Sequence, residues 1–197
     1  MKTTFNHIGG ITAVLGGLYL LILSLLQVYY GSDLEDSGLF WQLLPLMALF
    51  LVIGAVGLLA LVDGRSGIKV GIAVMGLGAI LLALGFGLMV WFDNENGWAT
   101  MMLGLLLQPL GFLLFGLFNW RARVLRRWNH IPILVGIICS ILFGLAVLGG
   151  GSIGFSEQYS ELAFGIYLLI LAVGWTLLGI SMLSGSRNSS LQSSAAA

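Results

Sequence analysis

Six stretches of the chain, 8–30, 39–62, 70–92, 97–120, 131–151 and 162–184, contain no Asp, Glu, Lys or Arg. An α-helix rises about 1.5 Å per residue, so roughly 20 apolar residues cover a hydrocarbon core about 30 Å thick. Backbone polar groups in lipid must be satisfied within the spanning structure, which leaves helices or closed barrels. These runs are unbroken, whereas a barrel strand alternates apolar and polar residues. The pattern therefore predicts an all-α polytopic membrane bundle of six transmembrane helices arranged as three hairpins. A single domain covers 1–184, and the Ser/Ala-rich segment 185–197 reads as a disordered cytoplasmic tail.

Only 8% of the 197 residues are charged and 59% are hydrophobic, against about 25% charged in soluble domains. Such a chain cannot build a water-facing surface, which excludes soluble enzymes, DNA-binding domains and secreted disulfide scaffolds. Cys139 is the single cysteine, so neither an intrachain disulfide nor a zinc cluster is expected. The first span is too long for a signal-peptide core, and Val28-Tyr29-Tyr30 is no small-residue cleavage site.

Charge then predicts direction. With six spans, one side collects Lys2, Arg65, Lys69, Arg121, Arg123, Arg126, Arg127 and Arg187, all 8 basic residues. The other collects Asp33, Glu35, Asp36, Asp93, Glu95, Glu157 and Glu161, and only Asp63 breaks the division. The positive-inside rule places both termini in the cytoplasm of a multi-pass cell-membrane protein. The sequon Asn188-Ser189-Ser190 would then carry no glycan. Tyr29, Tyr30, Phe40, Trp41, Trp91, Phe92 and Trp98 are expected at the outer interface, and Phe118, Trp120 and Trp128 at the inner one. Trp175 falls at mid-depth.

Glycine is abundant, with 29 residues. Small residues recur at four-residue spacing on the odd spans: Gly9-Ala13-Gly17, Ala79-Ala83-Gly87 and Gly136-Ser140-Gly144. Residues four apart share a helix face, and small ones let two backbones approach closely. The odd spans are therefore expected to form the tightly packed interior, through intramolecular contacts or as a face for an oligomer or partner. The even spans end alike, with Gly57-Leu58-Leu59 before Arg65, Gly116-Leu117-Phe118 before Arg121, and Gly179-Ile180-Ser181 before Arg187. Asn6-His7-Ile8 and Asn129-His130-Ile131 open the first and fifth spans. Hairpin duplication and shared composition both account for these likenesses. In the three hairpins and the glycine–apolar–arginine endings, the chain resembles the small six-span proteins linked to acid resistance in bacteria, the HdeD-like group. The resemblance implies a membrane bundle with a role in envelope stress and carries over no site residues.

Intramembrane charges mark ion paths and proton relays, and the six spans hold none. The chain likewise offers no lysine for a retinal, no activated serine, no lipid-phosphotransferase aspartate set and no phosphate-binding glycine loop. His7 and His130 would form a weak metal or haem site if the first and fifth helices packed together. Otherwise each asparagine caps a helix while the histidine sits at headgroup level. The deepest polar residues are Gln108, Tyr19, Trp175 and Thr176. Pro109 lacks a backbone donor and frees the Leu105 carbonyl, and Pro45 does the same opposite Trp41. These groups either line a small polar cavity or bond across helices and fix their order. Arg121, Arg123, Arg126 and Arg127 suit anionic lipid headgroups or simple topology anchoring. The acidic outer loop Asp33-Leu34-Glu35-Asp36 matches no calcium loop and reads as a solvated face.

The expected function is that of a non-enzymatic integral membrane protein acting through helix packing, as an accessory, assembly or envelope-stress component. It would need no cofactor and no nucleic acid. Its partners would be membrane lipids and either copies of itself or another membrane protein. The alternative is a small-solute or lipid transport protein using the mid-membrane polar site.

Overall fold

The computed structural model describes residues 2–30, 42–62, 66–122, 125, 128–149 and 157–194. All regular structure among them is helical: α1 Lys2–Tyr30, α2 Leu44–Leu61, α3 Ser66–Phe92, α4 Asn96–Ala122, α5 Ile131–Gly149 and α6 Glu157–Ser194. Five of these are long and apolar enough to cross a membrane, and Ile131–Val147 of α5 is a shorter apolar helix.

The helices close into a ring, each packing on its two chain neighbours and α6 returning onto α1. Successive close approaches show the pairing to be antiparallel. Gly10 lies against Gly179, Gly17 against Ala172, and Gly165 against Val28. No helix is central, so every helix turns one face inward and one outward. The outward faces are as apolar as the interior. On α1, Ile8, Ile11, Leu15, Leu18, Ile22 and Leu25 are all exposed, a stripe that water would not tolerate and lipid would. This helix composition is that of an integral membrane protein.

Two boundaries stand out against the sequence expectation. The second helix begins at Leu44, not at residue 39, and Pro45 sits in its first turn, where a missing N–H leaves no helix bond unmade. Residues 31–41 lie outside the described residues, and with them Asp33, Glu35, Asp36 and Trp41. The last helix continues to Ser194, through the segment whose composition reads as a disordered tail. Propagating an existing helix adds one hydrogen bond per residue fixed, so a long helix extends into weakly helical sequence.

The α3–α4 connection explains the tightest pairing. Asp93 adopts a left-handed backbone, φ 49°, a conformation in which Asp and Asn are enriched among non-glycine residues. Asn94 donates its backbone N–H to the Leu88 carbonyl, and its side-chain oxygen accepts from the Asn96 N–H at 3.0 Å. Asn94 thus closes one helix and opens the next. The short turn sets an antiparallel register in which Gly85 faces Gly97 and Gly78 faces Gly104. A methyl group on Gly97 would lie 2.6 Å from the Gly85 carbonyl oxygen, and one on Gly104 2.8 Å from that of Gly78. Gly71 and Gly111 extend the two rows against Phe115 and Met75. Both rows repeat every seven residues, the period of left-handed helix packing.

Candidate functional site

The buried polar groups gather where α3, α4 and α6 meet. Gln108 on α4 is fully buried. Its side-chain amide donates to the Met75 carbonyl on α3 at 3.0 Å, and its oxygen accepts from the Trp175 indole N–H on α6 at 3.0 Å. Phe112, one turn along α4, meets the Trp175 ring edge-on at 5.8 Å. Of the two expectations for Gln108, the cross-helix bonds are the arrangement observed.

One turn away, the Tyr167 hydroxyl donates to the Leu105 carbonyl at 2.6 Å. Pro109 lies four residues beyond Leu105 within α4 and has no N–H to offer that carbonyl. The Tyr167 ring packs against Phe143 and Phe164, and its own carbonyl accepts from the Cys139 thiol on α5 at 3.8 Å. Sequence reasoning identified the freed carbonyl and missed the donor. The signal was a tyrosine inside the apolar sixth span, where a buried hydroxyl requires a partner.

Thr176 and Tyr19 complete the set of residues expected in the polar site. Thr176 bonds back to the Ala172 carbonyl of its own helix at 2.8 Å and packs against Gly17. Tyr19 is half-buried on α1 against the apolar core.

The small-residue faces divide among different neighbours. Gly9 and Ala13 meet Gly57 and Gly54 of α2, while Gly17 meets α6. Ala79 is fully buried and Ala83 half-buried in the core. A methyl group on Gly87 would meet only Trp91 of the same helix, at 3.8 Å. Gly136 approaches the α4 backbone at Leu113, the Ser140 hydroxyl bonds to the Gly136 carbonyl, and Gly144 faces open space. Close packing is therefore shared by odd and even helices, as a ring without a central helix requires. The three similar helix endings also meet unlike partners: Gly57 faces α1, Gly116 faces Ile133 of α5, and Gly179 faces Gly10 of α1.

The α4–α5 corner holds a second polar cluster. Buried Asn119 donates to the Asn129 carbonyl at 3.1 Å and accepts from the Leu125 N–H at 3.3 Å. Asn129 donates to the Trp120 carbonyl at 3.1 Å. It thereby satisfies an end carbonyl of α4 instead of capping α5. His130 is exposed, with its ring edge-on to Trp120 at 4.9 Å. His7 is exposed near the start of α1, and α6 lies between α1 and α5 in the ring. Among the described residues no three His, Cys, Asp or Glu side chains come together. Arg121 is exposed, and Arg123, Arg126 and Arg127 lie outside the described residues.

Between α4, α5 and α6 an open groove of about 890 Å³ runs beside Trp98, Met102, Leu106, Phe143 and Phe164, with Glu161 on its wall. No local pattern marks it, because its walls come from three separate helices. Compared with protein families, curated proteins and solved structures, the chain matches none.

Proposed function

We propose that the chain is a six-span, non-enzymatic cell-membrane protein that works through helix packing, as an accessory or assembly component in an oligomer or a mixed complex. The observation that carries this reading is the engagement of Gln108 at both ends, on Trp175 and on Met75. The deepest polar side chain is used to fix three helices. The transport alternative needs that amide to meet a solute, and a solute would have to displace both bonds.

In this reading α5 also crosses the membrane, which brings the spans to six, and both termini are cytoplasmic. An even number of crossings agrees with the pairing of the start of α1 with the end of α6, and the distribution of arginine and lysine supplies the sign. Helix faces that are apolar throughout give lipid or a membrane partner a contact surface, and association in lipid is driven by close packing of small residues.

Native mass spectrometry of the protein extracted mildly from its own membranes is the test. A stoichiometric complex, with itself or with another membrane protein, is the expected result. A monomer that retains one defined small solute would overturn the reading in favour of transport.

A further inference from the structure

The groove between α4, α5 and α6 has a charge asymmetry that its apolar volume alone would not give. Trp98 and Glu161 mark one end, near the starts of α4 and α6, and Leu106 and Phe143 mark the other. Eight residues of α4 separate Trp98 from Leu106, about 12 Å at 1.5 Å per residue. Glu161 is the one charged side chain among the described residues that line it, and it is only half-exposed. Among those residues no base stands beside it. The rings of Trp98, Phe143 and Phe164 line the same space, and aromatic faces attract cations. About 890 Å³ lies within the ordinary range for a pocket that takes a drug-sized molecule.

We propose that this groove binds a lipophilic monocation, its charge at Glu161 and its apolar body along α4 toward Leu106. A neutral acyl chain would leave the carboxylate unpaired on an apolar wall. An anion would be repelled by it. A cation with apolar substituents satisfies the carboxylate, the aromatic rings and the apolar floor together. The inference concerns binding alone and does not depend on the packing role proposed above.

The test uses the full-length protein in lipid nanodiscs and two probes of equal shape and opposite charge, tetraphenylphosphonium and tetraphenylborate, titrated against empty nanodiscs as background. Tetraphenylphosphonium is expected to bind saturably, one per chain, and tetraphenylborate only to partition into lipid. Glu161→Gln weakens the cation about tenfold, the ratio that corresponds to about 1.4 kcal/mol. Glu95→Gln, on the α3–α4 turn, leaves binding unchanged, which separates a local ion pair from general surface charge. Ala146 lines the groove from α5, and Ala146→Trp fills it and abolishes saturable binding. Circular dichroism and size-exclusion profiles identical to wild type verify that each variant is folded. Equal titration of the two probes, or unchanged cation binding in folded Glu161→Gln, would overturn the proposal and leave the groove to lipid chains.

Discussion

The Tyr167 hydroxyl on α6 donates to the Leu105 carbonyl on α4 at 2.6 Å, replacing the hydrogen bond that Pro109 removes from its own helix. A proline inside a membrane helix leaves a carbonyl without its helical donor, and lipid offers no water to satisfy it. Here the donor comes from a helix across the bundle, so a defect in one element becomes a specific link between two. The link also fixes rotation. The hydroxyl can reach Leu105 only if α6 presents Tyr167 inward, and the same rotation presents Trp175 to Gln108.

Tyr167→Phe keeps the ring and its stacking and deletes the bond, with an expected loss of about 1 kcal/mol, near the upper part of the range for such bonds in membrane proteins. Pro109→Ala restores an N–H to the helix and gives Leu105 its ordinary donor. In that background Tyr167→Phe is expected to cost close to nothing. A double-mutant cycle by reversible denaturation in mixed micelles reads the coupling. Additive effects of the two substitutions would show that the hydroxyl does not serve the freed carbonyl.

Gln108→Leu removes both partners at once, leaving the buried Trp175 indole N–H without an acceptor. The expected destabilisation is about 1–3 kcal/mol, larger than for Thr176→Val, whose hydroxyl bonds only within its own helix. Thermal unfolding followed by circular dichroism measures both. Equal melting temperatures for the two variants would remove Gln108 as the fastener of α3, α4 and α6.

The glycine rows separate positions by what surrounds them. A methyl group at Gly104 would lie 2.8 Å from backbone atoms of Gly78 and Leu82, which cannot rotate aside, so α3 and α4 must part. Gly104→Ala is expected to cost about 1–3 kcal/mol, the usual range for overpacking. A methyl group at Gly144 meets nothing within 4 Å, and replacing a helical glycine by alanine there is expected to gain about 0.5–1 kcal/mol. Melting temperatures should rank Gly144→Ala above wild type and Gly104→Ala below it; the reverse order would contradict the α3–α4 register.

The helical class and five of the long apolar segments were legible because hydropathy over twenty residues reports the solvent directly. Helix neighbours were not legible, since every face of every span is apolar and carries no amphipathic mark of inside and outside. Four-residue spacing on the odd spans pointed at Gly87 and Gly144, which no other helix closely approaches. The seven-residue rows through Gly78 and Gly104 were present in the chain, but only the turn at Asp93–Asn94 shows that they oppose each other. Gln108, Trp175 and Pro109 were visible as polar or helix-breaking residues at depth. Their partners, Met75 and Tyr167, depended on the order of helices around the ring, which no local pattern encodes. Nothing local marks Asn119, whose role at the α4–α5 corner emerges only once the chain reverses there.

Cys139 gives a reporter that needs no engineering, because it is the only cysteine. It is fully buried on α5 and directed at the Tyr167 carbonyl, and a buried thiol in apolar surroundings is inert. N-ethylmaleimide, which permeates membranes, is expected to leave it unmodified in the native bilayer and to add once per chain after denaturation in SDS, as read by intact mass. Tyr167→Ala should change this. It withdraws the ring from between Phe143 and Phe164, opens space beside α5 and accelerates modification. Tyr167→Phe retains the packing and should leave the thiol protected while still losing the Leu105 bond. The two variants thus separate the ring's packing from the hydroxyl's hydrogen bond. Rapid modification of the wild-type protein in its bilayer would mean that α5 and α6 do not pack as described.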